Sequence, residues 1–107
     1  MKIIKNKIIP FKGFKAINLF GILFVRGDSE VDSTTVNHEL IHTAQMKELL
    51  YIFFYLWYVI EWIVRLLHYR NAREAYRNIS FEREAYRHGE NLMYLKWRSK
   101  FNFLNYL

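Results

Sequence analysis

The sequence contains no cysteine, one proline and four glycines in 107 residues. Without cysteine there is neither a disulfide framework nor a thiolate metal site, so any metal ion must be bound by His and carboxylate side chains. Neither Pro nor Gly occurs between Gly27 and Gly89, so no residue there breaks a helix. Residues 1–10 lack the continuous apolar segment of a secretory signal, which predicts a cytoplasmic start.

Composition narrows the class of protein. A chain of 107 residues has room for one domain, which we expect to comprise residues 1–107. Hydrophobic residues make up 52% and aromatic residues 19%, more than in a typical soluble domain, so we expect a partner or a membrane surface. The net charge of +6 favours an anionic partner. No Lys/Arg stripe is interleaved with base-stacking aromatic residues, which argues against nucleic acid.

The first quarter of the chain predicts a short sheet. Residues 3–11 and 16–26 are rich in Ile, Phe and Val. Gly13 separates the two segments, and Pro10 and Gly27 mark strand ends. Two antiparallel strands are the simplest arrangement. Gly21 within the second strand indicates a bulge, a close backbone approach or merely a weakened strand. With the helices that follow, we predict an α+β fold in which a short antiparallel sheet precedes a helical bundle.

Two helices are expected after the loop at 27–33. Asp32, Ser33 or Thr34 can cap a helix that starts near Thr35. An uninterrupted helix to about Tyr69 would be unusually long, so we predict a bend within 47–51.

The segment 49–67 carries only two charged residues, Glu61 and Arg65, which can pair at their i,i+4 spacing. Its length suits a membrane span, a buried core helix or a helix in the membrane interface. A homo-oligomer formed through the same helix is a further arrangement. The tail, 92–107, is again aromatic and basic, and predicts a last helix or a surface anchor.

Residues 37–45 read NHELIHTAQ and contain an HExxH motif, His38-Glu39-x-x-His42. Four residues along a helix turn it by about 400° and raise it by about 6 Å, so both imidazoles project from one face. That geometry suits a shared zinc ion. Glu39 lies at the edge of the same face, where it can act as a general base without being a ligand.

A catalytic zinc ion needs a third protein ligand. Three residues after His42 stands Gln45, so the third-His pattern of metzincins is absent. Glu82 and Glu84 lie about 200° apart on a helix, and only one can face the metal. We predict Glu82, because its face is small and apolar: Ala85, Tyr86, Gly89 and Met93. Glu84 is expected on the solvent face, paired with Arg87 or His88.

HExxH followed about forty residues later by Glu-x-x-Ala, Glu82 to Ala85, resembles the gluzincin-type zinc metallopeptidases, some of them membrane-linked. Their third ligand lies in an E-x-x-A-D motif, which also points to Glu82. The resemblance covers residues 35–86 and departs at Tyr86, which replaces the Asp that could orient a His ligand. It implies Zn²⁺ and hydrolysis of peptide bonds. It also implies a peptide substrate paired with an edge strand, here 16–26.

The remaining choices concern catalysis. Tyr86, Tyr76 and His88 are the candidates for stabilising the oxyanion, and Tyr86 is the one we predict. The alternative function is a non-catalytic zinc-binding module that associates with a membrane or a protein. A structural zinc site does not need Glu39, so the two functions differ at that residue.

Overall fold

The computed structural model of the chain describes residues 2–6, 16–27 and 32–107. A three-stranded sheet comes first and a helical region follows, which confirms the α+β class. Residues 7–11 of the first predicted strand and 28–31 of the predicted loop lie outside the described residues. In chain order the elements are β1 (Lys2–Asn6), β2 (Ala16–Leu19), β3 (Ile22–Arg26), α1 (Ser33–Glu48), α2 (Ile52–Tyr69), α3 (Ala72–Arg77), α4 (Ser80–His88), α5 (Tyr94–Trp97) and a C-terminal 3₁₀ helix (Asn102–Tyr106).

The sheet is mixed, so the prediction of an antiparallel sheet is wrong. Its strand order is β1-β3-β2, with β1 parallel and β2 antiparallel to β3. The predicted single strand 16–26 is a hairpin. Phe20 and Gly21 both have positive φ, 54° and 88°, as a two-residue type I′ turn requires. Gly21 therefore belongs to a turn and not to a bulge, and β2 lies at an edge of the sheet.

The helix that carries the motif begins at a predicted cap and ends at the predicted bend. Asp32 Oδ1 accepts a hydrogen bond of 2.8 Å from the N–H three residues further on. α1 ends at Glu48, and Leu50 and Tyr51 separate it from α2 with φ of 55° and 61°. Non-glycine residues in this region are strained. The Tyr51 N–H donates to the Met46 carbonyl at 2.7 Å, which holds the turn in place.

The larger hydrophobic cluster lies where α1, α2, α4 and the 3₁₀ helix meet. Its centre is Phe81 of α4, whose ring centroid is 4.5 Å from that of Phe54 and 4.7 Å from that of Phe103. Burying each Phe side chain contributes about 1.5–3 kcal/mol relative to leaving it exposed. Phe103 thus holds the tail, which forms α5 and the 3₁₀ helix instead of one last helix. The same packing positions the first turn of α4.

α2 is not a buried core helix, which excludes one arrangement considered for 49–67. Among its residues only Phe54 and Glu61 are buried. Glu61 accepts hydrogen bonds from the backbone N–H and the hydroxyl of Ser80, at 2.6 and 2.7 Å, and Arg65 lies 4.0 Å from it. Within the described ranges, α2 is the one helix that is long and apolar enough to cross a membrane by length and composition.

Candidate metal centre

The three predicted ligand side chains meet between α1 and α4. His38 and His42 come from α1, and Glu82 comes from the first turn of α4. The two Nε2 atoms lie 3.1 Å apart, and Glu82 Oε1 lies 3.1 Å from His38 Nε2 and 3.0 Å from His42 Nε2. The side chains of His38, His42 and Glu82 are only 13%, 6% and 5% exposed.

The spacing and chemistry of these three atoms fit a divalent metal ion. Two imidazole nitrogens and one carboxylate oxygen are a common donor set of catalytic zinc. Ligand atoms about 2.0–2.1 Å from a tetrahedral zinc ion are about 3.3 Å from one another, close to the spacing observed. Three lone-pair-bearing atoms this close together require a proton or a cation between them.

A proton on His42 suits these surroundings. Burial lowers the pKa of His42, but Glu82, Glu39 and Gln45 together outweigh burial and raise the pKa to about 9. Burial likewise raises the pKa of Glu82, yet His42 and His38 together hold it well below its usual range. The two shifts favour a proton on His42 beside an ionised Glu82, so a metal ion that binds here competes with a proton.

Gln45 determines which nitrogen of His42 faces the cluster. The Gln45 amide nitrogen donates to the Phe81 carbonyl at 3.1 Å and to Glu84 Oε1 at 2.9 Å. Both partners are acceptors, so the amide oxygen must face His42 Nδ1, 2.8 Å away, and Nδ1 must donate to it. In the neutral imidazole, Nε2 then presents its lone pair to the cluster, as a metal ligand requires.

Glu84 is fully buried, so its predicted place on a solvent face with Arg87 or His88 is wrong. Its carboxylate accepts 2.6 Å hydrogen bonds from Arg98 Nε and from the Tyr94 hydroxyl. Burial raises the pKa of Glu84, but these hydrogen bonds lower it below its ordinary value. Glu84 is therefore an ionised acceptor that holds the Gln45 amide in one orientation.

Arg98 joins this network to α1. Its guanidinium forms two parallel hydrogen bonds with the Glu48 carboxylate, at 3.0 and 2.9 Å. Bidentate pairs of this kind are geometrically specific. The chain of contacts from Glu48 through Arg98, Glu84 and Gln45 to His42 links one metal-ligand candidate to the tail of the protein.

Tyr58 of α2 orients Glu82, the third candidate ligand. Its hydroxyl donates to Glu82 Oε2 at 2.7 Å, which leaves Oε1 to face the two imidazoles. Burial is the largest of the effects that raise the pKa of Tyr58, so the hydroxyl remains a donor across the ordinary pH range. Sequence analysis missed this residue, because nothing in 49–67 distinguishes Tyr58 from its aromatic neighbours.

Glu39 lies beside the two imidazoles. One of its carboxylate oxygens and a ligand nitrogen from each of His38 and His42 all lie within 4.8 Å of one another. Its backbone carbonyl accepts hydrogen bonds from Asn18 of β2 at 2.9 Å and from Thr43 at 3.1 Å. Burial raises the pKa of Glu39, partly offset by the neighbouring His42 and His38. A carboxylate of raised pKa beside the site suits a general base.

A cleft of about 1000 Å³ opens in front of the cluster. His38 and Glu39 line it, together with Tyr76 and Tyr86, two of the three predicted oxyanion-stabilising residues. The Tyr76 and Tyr86 hydroxyls lie 2.9 Å apart, and the Tyr86 ring packs edge-on against His38 with centroids 4.5 Å apart. Both tyrosines are thus placed where a substrate would meet the site.

His88, the third candidate, is not part of the cleft wall. Its ring stacks on Tyr94 with centroids 3.8 Å apart, and its Nε2 lies 2.7 Å from the Tyr106 hydroxyl. Both contacts are made with the C-terminal part of the chain, which sequence periodicity along α4 does not reveal. The geometry supports a packing role for His88.

Replacing Gln45 by Met is expected to lower zinc affinity about 10–100-fold, as the loss of an outer hydrogen-bond partner commonly does. Met keeps the approximate shape of the side chain but cannot accept from His42 Nδ1. The dissociation constant is measured by competition with a chelator of known affinity, on protein shown by circular dichroism to be folded.

Met46→Leu is the matched control for this experiment. Met46 is the next residue on α1 and is buried in the core, and the replacement conserves side-chain volume. We expect its zinc affinity to equal that of the wild type. Equal affinity in Gln45→Met would contradict the orienting role of Gln45.

Comparisons with known proteins returned no similarity: no family model, no curated protein and no solved structure matches the chain.

Proposed function

We propose that the chain is a zinc-dependent metallopeptidase of the gluzincin type. The observation that carries the proposal is the convergence of His38 Nε2, His42 Nε2 and Glu82 Oε1 within 3.1 Å, with Glu39 beside them at the end of a cleft. The orientation of His42 by Gln45 and of Glu82 by Tyr58 supports it, because a metal site needs such partners behind its ligands.

Each residue has a role in the hydrolysis that we propose. A bound zinc ion would act as a Lewis acid on the scissile carbonyl and make water more acidic. The Glu39 carboxylate takes a proton from the attacking water and delivers it to the nitrogen of the leaving amine as the C–N bond breaks. Tyr86 and Tyr76 offer hydroxyl donors to the developing oxyanion.

The substrate peptide would pair with β2. In the described part of the chain β2 pairs with no strand but β3. The Asn18 carbonyl of β2 accepts a hydrogen bond from the Tyr55 hydroxyl at 3.3 Å, so a substrate would pair with the main-chain groups of β2 that face neither β3 nor Tyr55. Ala16, its first residue, lines the cleft, and Asn18 links the strand to Glu39. The strand that would pair with the substrate is therefore residues 16–19 and not the whole segment 16–26, because β3 lies between β1 and β2 in the sheet.

Chelation tests this proposal on the unaltered chain. The purified protein is expected to contain about one zinc ion per chain and to cleave a mixture of unstructured peptides. Dialysis against a chelator should remove both zinc and activity, and stoichiometric Zn²⁺ should restore both. Wild-type protein that binds no metal after zinc is added would refute the proposal, and full activity in metal-free protein would do so too.

A non-catalytic zinc module is the second candidate. The cluster joins α1 to α4, and through Tyr58 to α2, as a structural metal ion would. If the chain were such a module, removing zinc would unfold the protein, and the zinc-loaded protein would cleave no peptide. Glu39, Tyr76 and Tyr86 all line an open cleft, which favours catalysis, since a structural zinc site is usually closed.

A further inference from the structure

The exposed face of α2 is apolar along its whole length. Six large side chains on this face are between 47% and 75% exposed: Ile52, Leu56, Val59, Ile60, Ile63 and Leu67. At 100° per residue they span an arc of about 100°, which Phe53 and Val64 widen to about 140°. We call this surface the apolar arc. No charged residue of α2 lies in it, and soluble monomers rarely expose such a surface.

The borders of the arc carry aromatic side chains with polar ends. Trp57 lies on one side, and its indole N–H donates to Glu61 at 3.2 Å. Trp62 lies on the other side, and its N–H donates to the Ala72 carbonyl at 3.4 Å. Trp is enriched at the boundary between lipid chains and headgroups, where an apolar ring and a polar N–H are both accommodated.

Cationic residues flank the arc at both ends. Lys47 precedes α2, and Arg70 and Arg73 follow it, and all three are exposed. The chain as a whole carries +6. A positively charged, Trp-bordered apolar surface is complementary to anionic headgroups over acyl chains.

We propose that α2 lies in the interfacial region of an anionic phospholipid bilayer, with the apolar arc turned towards the acyl chains. A membrane-spanning α2 fits less well, because its opposite face carries Glu61 bonded to Ser80 and Tyr58 bonded to Glu82. A second copy fits less well too, since one partner helix covers a narrow seam and not an arc this wide.

The arc also borders the cleft. Val59 belongs to the arc and lines the cleft, next to Tyr58. A peptide bound there would lie at the membrane surface, so the substrates would be membrane-associated polypeptides. This consequence rests on the proposed function, whereas bilayer binding does not, because the arc contains no residue of the metal centre.

Vesicle sedimentation tests the inference on the full chain. Wild-type protein is expected to bind vesicles of phosphatidylglycerol and phosphatidylcholine, and to bind pure phosphatidylcholine vesicles more weakly. Ile60→Glu should reduce binding at least about tenfold, because it removes apolar area and places a charge in the arc. Ser99→Glu adds the same charge at an exposed residue outside α2, and should bind nearly as well as the wild type.

Because the chain has no cysteine, the single substitutions Ile52→Cys, Ile60→Cys and Leu67→Cys can each carry a fluorophore whose depth is measured with lipid-attached quenchers. Similar shallow depths at all three positions would support an interfacial helix. Residue 60 at the bilayer centre, with 52 and 67 near opposite surfaces, would show a span and overturn the inference. So would a lipid-free dimer that Ile60→Glu dissociates, combined with no binding to vesicles.

Vesicle binding is measured on both zinc-loaded and chelated protein. Equal binding in the two forms separates this inference from the proposed function. Binding that survives in a protein without peptidase activity would leave the inference standing and remove only its consequence for the substrate.

Discussion

Replacing Glu39 by Gln is expected to reduce peptide hydrolysis by about 10²–10⁴-fold, the range that a positioned general base contributes. Gln has nearly the same shape but cannot take up the proton of the attacking water. Zinc content should stay at that of the wild type, because His38, His42 and Glu82 offer three ligand atoms within 3.1 Å of one another without Glu39. Turnover of a fluorogenic peptide and elemental analysis of the same samples measure the two quantities.

The stability of the variant should not fall. Burial raises the pKa of Glu39, which shows that its environment disfavours the charged form, and Gln is neutral. The hydrogen bonds that Asn18 and Thr43 donate to the Glu39 backbone carbonyl survive the replacement. A loss of activity in Glu39→Gln therefore cannot be attributed to unfolding, and the melting temperature provides the check.

Two results would contradict the assignment. Unchanged hydrolysis would show that another group takes the proton or that the measured activity belongs to a contaminant. Absence of hydrolysis in the wild type, together with one bound zinc ion, would favour the non-catalytic module. The same pair of proteins therefore distinguishes the two candidate functions.

The parts of the molecule that could be predicted are those that depend on short spacings. HExxH places His38 and His42 on one face of any helix, and the period of 3.6 residues separates Glu82 from Glu84. The start of α1 follows from the capping residues at 32–34, although they do not single out Asp32, and the bend follows from the usual length of helices. The α+β class follows from the order of patterns.

The parts that could not be predicted depend on distant segments. Glu84 lies opposite Glu82 on α4, as expected, but Arg98 and Tyr94 bury it, and they come from the tail. A solvent face and a face covered by a later segment have the same local pattern. The sequence pattern does not indicate strand direction either, because alternation predicts a strand and not its partner. The parallel pairing of β1 with β3 could therefore not be predicted.

The spacing of His42 and Gln45 along α1 is a local pattern that indicates contact between the two side chains. Gln45 lies three residues after His42, so the same face of α1 had to bring the two side chains together. In the sequence, Gln45 serves only to show that the third-His pattern of metzincins is absent. Tyr86 replaces the Asp of the E-x-x-A-D motif, so the carboxylate that could orient a His ligand is absent at that position. Gln45, held by Glu84, instead supplies a hydrogen-bond acceptor to His42.

Replacing Glu82 by Gln is expected to weaken zinc binding by more than about 100-fold. The effect should exceed that of losing an outer hydrogen-bond partner such as Gln45, because a direct charged ligand is removed. The amide oxygen of Gln can still accept from Tyr58, so the fold should be retained. Zinc affinity by chelator competition and zinc content after gel filtration both measure the effect. Hydrolysis should fall to background in the same preparation.

Glu74→Gln is the matched control for Glu82→Gln, since it removes one carboxylate from the exposed surface of α3. Its zinc affinity is expected to equal that of the wild type, which excludes a general effect of net charge. Glu82→Gln that binds zinc as tightly as Glu74→Gln would mean that the third ligand lies elsewhere and that the proposed centre is wrong. Tight binding lost only in Glu82→Gln would support Glu82 as the third ligand of the proposed centre, because Gln45, Tyr58 and Glu39 are intact in both variants.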